Sequence, residues 1–270
     1  MTSFWIVLSG GLALLAGSGL ALGASLGLTG LILLHFIAGG ITFVAVDAVW
    51  NVLNSFTLSA IPLFIILGEI MLRSEVSKKI YVALSPLFQN IPGGLLHTNI
   101  AVCTLFGAVS GSSLSTAAAV GSVAYPEMTE RGYDKKMVVG SLAGGGTLGL
   151  LIPPSLSLLI YGALTETSIG QLFLAGIIPG VLFAIMFMIY IYFKCMRQPL
   201  LAPTQESAFK LTDIIINILS IWPFLIVVFA IMGSITFGIA TPTEAAGVGV
   251  IATIILGTVS YTHLTLPTIE

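Results

Sequence analysis

Apolar residues run along this chain in blocks close to the length of a bilayer crossing, and the polar positions between them set the layout. Two blocks open the sequence, Phe4–Leu22 and about Leu26–Val46, joined by a short Gly/Ser turn. Each approaches the ~20 residues that carry a helix across ~30 Å of hydrocarbon. Asp47–Ser55 reads as a polar-edged connection holding Trp50, a residue type suited to the interface. Leu58–Leu72 is a third, shorter span containing Pro62, with Glu69 near its end and within reach of the interface. The pattern then shifts to a helical period, with Tyr81, Val82, Leu84, Leu87 and Phe88 behind Lys78 and Lys79. Arg73–Asn90 is therefore predicted to be an amphipathic helix lying along the interface, ended by Ile91-Pro92-Gly93-Gly94.

Two interruptions of apolar sequence dominate the middle of the chain. Leu95–Val109 is broken by Ser110-Gly111-Ser112-Ser113-Leu114-Ser115-Thr116, and Ala117–Ala124 then leads to Tyr125-Pro126-Glu127-Met128. Neither arm comfortably covers ~30 Å, so residues 95–128 predict a re-entrant helical hairpin with a Ser/Gly tip at membrane depth. One long helix whose small residues pack against a neighbour is the competing arrangement. After the charged turn Glu130–Lys136, the stretch 134–164 is broken by Gly144-Gly145-Gly146-Thr147-Leu148-Gly149-Leu150-Leu151-Ile152-Pro153-Pro154-Ser155. Pro153 and Pro154 lack backbone donors and clash with the preceding turn, while the glycines admit close approach of other atoms. The pattern favours a discontinuous helix over a simple proline kink. Unpaired peptide groups at membrane depth survive only against protein or a watery cavity, and transporters place binding sites at such breaks.

Thr165-Glu166-Thr167-Ser168 is a polar turn whose hydroxyls are placed to cap the next helix. Ile169–Phe193 is a full span containing Pro179-Gly180 and ending in Lys194 and Arg197. Gln198–Lys210 reads as a linker, Leu211–Leu219 as a second interfacial helix and Ile221–Phe237 as a span. Thr241-Pro242-Thr243-Glu244 has the capping-box pattern of a helix start, and Ala245–Thr258 is the last predicted helix. Residues 259–270 abandon the apolar period and are expected to be non-native, from a truncated or misjoined reading.

Composition narrows the class. Of 270 residues 57% are hydrophobic and 7% charged, far from the roughly 25% charged of soluble domains, so the chain is a polytopic all-helical membrane protein. The nine basic residues form three groups, Arg73/Lys78/Lys79, Arg131/Lys135/Lys136 and Lys194/Arg197/Lys210. The predicted crossings return all three to one side, the cytoplasmic side by the positive-inside rule, with the N-terminus periplasmic. The first span has neither a basic flank nor a cleavage site and reads as retained. Cys103 and Cys195 suggest no disulfide framework or metal site, and no basic, aromatic-interleaved patch suggests nucleic acid. Asp47, Glu127, Glu130 and Asp134 sit at span edges and are expected to be solvated, whereas Glu166 and Glu244 are read as helix-start residues satisfying the dipole. An intramembrane serine hydrolase needs a base beside Ser110, Ser112 or Ser113. The histidines are His35, His97 and His263, and no HExxH or Gly-x-Ser-x-Gly pattern occurs, so no catalytic residue is assigned. A channel is the other rival, and it needs no broken helix.

Several ordered blocks over about residues 55–250 resemble the large membrane subunit of tripartite ATP-independent periplasmic transporters, the DctM type. They are Phe106-Gly-Ala-Val-Ser-Gly-Ser-Ser113, Pro126-Glu-Met128, Gly132-Tyr133, Gly146-Thr-Leu-Gly149 and Ile152-Pro-Pro-Ser155. Ala60-Ile-Pro62, Gly68-Glu-Ile-Met71, Ser168-Ile-Gly170, Ala175-Gly-Ile-Ile-Pro-Gly180 and Thr241-Pro-Thr-Glu-Ala-Ala246 support them. The resemblance implies a sodium-coupled, elevator-type importer of organic anions, such as carboxylates or sialic-acid-like sugars, in a bacterial inner membrane. It also implies a periplasmic substrate-binding protein and a small membrane subunit as partners. In its terms 1–72 are scaffold helices, 73–94 an arm helix, 95–165 the transport region, 166–210 a scaffold helix and linker, and 211–258 the start of a second repeat. The chain then holds one half of an inverted-repeat transporter. By the same resemblance sodium falls to Ser110, Gly111, Gly145, Gly146, Thr147, Gly149, Ile152 and Pro153. Substrate falls to Ser112, Ser113, Thr147, Pro154 and Ser155.

Overall fold

A computed structural model of the chain describes residues 2–74, 76–203 and 221–260. The expected helix Leu211–Leu219, most of the linker before it and residues 261–270 lie outside the described residues. Among the described residues every regular element is helical. The chain forms two compact units, divided after Ser55.

The first unit holds α1 (Thr2–Gly17), α2 (Leu22–Phe36) and α3 (Phe43–Leu53). The expected continuous span Leu26–Val46 does not form. Helix α2 stops at Phe36, and Gly39 and Gly40 take φ of +82° and +84°, a left-handed region open to glycine. The chain then re-enters a helix, so Asp47–Leu53, expected as a connection, is helical. Along α2, Ser25, Thr29 and Leu33 are buried at helical spacing, and Thr29 Oγ1 donates to the Ser25 carbonyl at 2.7 Å. Gly11 of α1 leaves room for that threonine, since a Cβ there would stand 3.1 Å from Thr29 Cγ2.

The second unit begins with a 3-10 turn, Phe56–Ser59, and α4 (Ala60–Arg73). It continues through α5 (Val76–Phe88), α6 (Leu95–Ser110), α7 (Ser113–Glu130) and α8 (Lys135–Thr147). After a 3-10 turn, Leu148–Leu150, come α9 (Leu156–Thr165), α10 (Ile169–Arg197), a 3-10 turn Pro199–Leu201, α11 (Trp222–Thr236) and α12 (Pro242–Ser260). Helix α6 is the centre, packed by α4, α5, α7, α8 and α10. It is buried nearly all round: Leu96, Ile100, Val102, Cys103 and Phe106 are fully buried, and so are the polar Thr98 and Asn99, the latter donating to Ser141 Oγ of α8 at 2.9 Å. Between hydrocarbon and protein, close packing rather than water exclusion stabilises such a helix, because lipid tails are as apolar as leucine. Among the described residues two stretches, Phe56–Arg73 and Ile169–Arg197, are long and apolar enough to cross a membrane by length and composition.

Helix α5 is amphipathic, but its buried face matches the predicted apolar set only in part: Tyr81 and Leu84 are buried and Phe88 half-buried, whereas Val82 and Leu87 are exposed. Val76, Ile80, Tyr81, Ala83 and Leu84 are buried against α6 and α7, and Lys78 and Val82 are exposed. The turn from α7 to α8 departs from expectation, because two carboxylates read as merely solvated have defined partners. Glu127 Oε1 accepts from Arg131 Nη2 at 2.6 Å, and Asp134 Oδ1 caps α8 by accepting from Met137 N at 2.9 Å. Buried Tyr133 holds the same turn to the start of α6 by accepting from Leu95 N at 3.3 Å, and burial raises its phenol above the ordinary tyrosine range. Asp134→Ala, which removes the cap, is expected to destabilise the unit by about 1 kcal/mol. Thermal unfolding of the purified chain in detergent checks this.

Glu166 is not a helix-start residue. It closes the C-terminal end of α9 with φ +54°, and Thr167 N donates to the Gly162 carbonyl at 3.0 Å. Nor do the hydroxyls of this turn cap α10. Thr165 Oγ1 donates to Tyr161 O and pairs with Thr167 Oγ1 at 2.9 Å, and Ser168 makes no side-chain cap bond. At the start of α12 the box forms as read: Glu244 Oε2 accepts from Thr241 N and Oγ1, both at 2.8 Å.

Candidate functional site

The two sequence interruptions meet. Helix α6 ends at Ser110, where Gly111 takes a left-handed conformation (φ +58°, ψ +10°) and donates its N–H to the Gly107 carbonyl at 2.9 Å. An L side chain is strained in that conformation, so the tip needs glycine. Ser112 is extended, and its Oγ accepts from Ser115 N at 3.4 Å to start α7. On the other side, α8 tightens into the 3-10 turn after Thr147, and the last backbone bonds run from Leu151 N and Ile152 N to the Leu148 carbonyl. Leu151–Ser155 is irregular and α9 resumes at Leu156. Among the described residues the carbonyl oxygens of Ile152, Pro153 and Pro154 accept no backbone hydrogen bond, because the irregular segment carries them out of line with the N–H groups that begin α9.

Glycine contacts show how close the approach is. A Cβ on Gly107 would stand 2.7 Å from Gly149 Cα, and one on Gly149 would stand 2.8 Å from Thr116 Oγ1 and 3.2 Å from the Ser112 carbonyl oxygen. A Cβ on Gly111 would lie 3.1 Å from Leu156 N and 3.3 Å from the Pro154 carbonyl oxygen. The tip therefore rests directly on the break and on the first N–H of α9. Gly146 approaches Ser113, with 3.0 Å from its notional Cβ to that carbonyl oxygen, and Gly68 of α4 lets Ser110 lie against it from a third side.

Within this contact the hydroxyls form a small network. Buried Ser110 Oγ lies 2.5 Å from Thr116 Oγ1, and Thr116 Oγ1 donates to the Ser112 carbonyl at 2.8 Å. That carbonyl also accepts from Thr116 N at 3.0 Å, so its capacity is largely used. The hydroxyl oxygens keep lone pairs after donating. Ser155, 1% exposed, donates to the Leu150 carbonyl at 2.5 Å. No group of three or more His, Cys, Asp or Glu side chains occurs among the described residues, so the donor set at the contact is neutral oxygen. Such oxygens suit a hard cation rather than a soft one.

The expected site residues divide accordingly. Ser110, Gly111, Ser112, Ser113, Gly146, Gly149, Pro154 and Ser155 come together, and Pro153 lies buried in the same irregular segment. Thr147 does not join them: it is exposed, and its Oγ1 donates back to the Gly144 carbonyl at 2.7 Å within its own helix. Gly145 packs on Cys103, 2.9 Å from its notional Cβ to Cys103 Cβ. Ile152 turns its side chain towards Gly180 of α10, 2.6 Å from a notional Cβ there to Cγ1. Residue pattern alone did not assign Thr116, Gly107 or Gly68. Thr116 carried a legible signal, standing one helical turn after Ser112, where a side chain faces back over the start of α7.

Two helices joined at a Ser/Gly tip thus press against an interrupted helix in an all-helical membrane protein, with neutral oxygens between them. The family model "Tripartite ATP-independent periplasmic transporter, DctM component" matches residues 9–270, and the chain belongs to that family. It is 37% identical over 228 residues to the C4-dicarboxylate TRAP transporter large permease protein DctM of Pseudomonas aeruginosa, covering 84% of this chain and 52% of that protein. It is 36% identical over 231 residues to the sialic acid TRAP transporter large permease protein SiaM of Vibrio cholerae, covering 84% and 52%. With the ectoine TRAP transporter large permease protein TeaC of Halomonas elongata it shares 37% over 209 residues, covering 77% and 48%. The chain spans about half the length of the curated relatives it matches. The family is one of transporter permease components, not enzymes, in line with the absence of an assigned catalytic residue.

Proposed function

We propose that the chain supplies the substrate- and ion-handling part of a sodium-coupled importer of organic anions in a bacterial inner membrane. The observation that carries this reading is the contact of Gly111 with the Pro154 carbonyl and Leu156 N, at a break whose carbonyls have no backbone donors. Helices α6 and α7 act as a re-entrant hairpin, and α8 and α9 as the halves of a discontinuous helix. Sodium takes the oxygens of Ser110, Thr116 and the Ile152–Pro154 segment, as freed carbonyls and half-helix ends do in other secondary transporters. The substrate's carboxylate lies against the N-terminal ends of α7 and α9, near Ser112, Ser113, Pro154 and Ser155, where backbone donors and the helix dipole favour negative charge. Two of the relatives are named for organic anions, C4-dicarboxylate and sialic acid, which supports the class, and a third for ectoine, a zwitterion that shares only the carboxylate.

The cycle is elevator-like: the region 95–165 moves as one body against scaffold helices, carrying ion and anion together. A periplasmic binding protein delivers the substrate and a small membrane subunit steadies the scaffold. The basic loops face the cytoplasm and the N-terminus the periplasm. Proteoliposomes containing the permease, its small subunit and a binding protein loaded with radiolabelled dicarboxylate or sialic acid test the reading. Accumulation is expected only with an inward sodium gradient; accumulation unchanged when potassium replaces sodium overturns the coupling.

A further inference from the structure

A recess lies apart from the hairpin tip, between α8, α10 and the flank of α6, with a volume of about 560 Å³. Its size falls in the ~300–1,000 Å³ range of small-ligand sites. One wall carries Lys136, Gly140 and Gly144 at four-residue spacing along α8, so the recess extends about 12 Å at ~1.5 Å per residue. The facing wall is α10, with Phe183, Phe187 and Tyr190 at helical spacing. The deep end is apolar, and Phe187 stands 3.6 Å from the notional Cβ of Gly144. Ser141 lines the recess, its hydroxyl accepting from Asn99 Nδ2 of α6 at 2.9 Å. The other end is cationic: Lys136 lines it, and Lys194 and Arg197 continue the Phe187/Tyr190 face of α10 one and two turns on. The acidic group nearest in sequence, Asp134, caps α8.

An apolar slot that runs past a phenol, Tyr190, to a lysine, Lys136, with Lys194 and Arg197 further along the same face of α10, is graded as a phospholipid is graded, from tail to anionic head group. We propose that this recess holds one acyl chain of an anionic phospholipid whose phosphate sits at Lys136, with Lys194 and Arg197 beside it. The inference goes beyond the transport reading and needs only that α8 and α10 stand in a membrane. It assigns the α8–α10 seam a defined lipid rather than the general annulus, so lipid charge would bear on how α8 sits against α10.

Native mass spectrometry of the full chain, released from micelles containing equal phosphatidylglycerol and phosphatidylcholine, tests the proposal. One phosphatidylglycerol is expected to be retained in preference to phosphatidylcholine. Lys136→Gln should lower that preference about fivefold, the weight of one basic residue at an anionic surface, and Lys136→Arg should keep it. Equal retention of the two lipids, or a preference untouched by Lys136→Gln, overturns the proposal. Because Lys136→Gln could act through the surface alone, the position is tested separately with p-benzoylphenylalanine in place of Phe187, which preserves an aromatic side chain. Illumination in membranes should attach it to phospholipid. Attachment to a polypeptide would mark the recess as a subunit interface and overturn the lipid assignment.

Discussion

Gly149→Val is expected to reduce sodium-driven uptake by the assembled transporter about 100-fold, the scale on which a ~1 Å misplacement disables a preorganised site. The reason is geometric. A Cβ at Gly149 already meets Thr116 Oγ1 at 2.8 Å, the Ser112 carbonyl oxygen at 3.2 Å and Gly107 Cα at 3.3 Å. None of these is the free end of a flexible side chain, so the strain must move α7 or the break itself. Overpacking of this kind costs about 1–3 kcal/mol, which a packed helix pair survives while its site does not. Gly149→Ala should therefore show an intermediate loss. Gly247→Ala in α12, where nothing lies within 4 Å, should leave uptake unchanged. Uptake assays on variants matched for membrane content check the series, and unimpaired Gly149→Val would show that tip and break need not touch.

The second large effect is expected at Thr116, fully buried beside Ser110. Thr116→Val keeps the shape and removes the hydroxyl, leaving Ser110 with its 3.3 Å contact to the Ser112 carbonyl. A lost buried hydrogen bond costs about 1 kcal/mol in stability. If the same oxygen ligates sodium, the sodium concentration that half-stabilises the chain against heat should rise about tenfold, roughly 1.4 kcal/mol of binding free energy. Thr116→Ser restores the oxygen and should restore the sodium response. A sodium response identical in wild type and Thr116→Val removes Thr116 from the ion site while leaving its structural role intact.

Much of this arrangement is legible in the order of residues because backbone chemistry is local. Consecutive prolines must end a helix, and Ser-Gly-Ser-Ser cannot continue one comfortably, so both interruptions are visible before any tertiary contact is known. The amphipathic character of α5 and the Thr241–Glu244 box are visible for the same reason. What is not legible is rotation and reach. Thr147 and Thr116 both stand within a turn of a break, yet one faces outward and bonds its own helix while the other faces Ser110. That difference depends on the left-handed Gly111 and on how closely Gly107 and Gly149 let the helices approach, which is tertiary information. The break at Gly39-Gly40 is hidden by continuous apolar sequence, since hydropathy does not register the sign of φ. Asp134 and Glu127 look alike as span-edge carboxylates until the turn between α7 and α8 gives one a backbone N–H and the other an arginine.

The central claim is that the hairpin tip and the Pro-Pro break enclose a wet, ion-binding pocket rather than a dry helix contact. Ser112→Cys tests it most directly, because the native Cys103 and Cys195 are both buried. A membrane-impermeant thiol reagent should modify that cysteine when choline replaces sodium, and sodium should slow the modification several-fold. A cysteine that never reacts, or that reacts at the same rate in sodium and choline, would contradict the account.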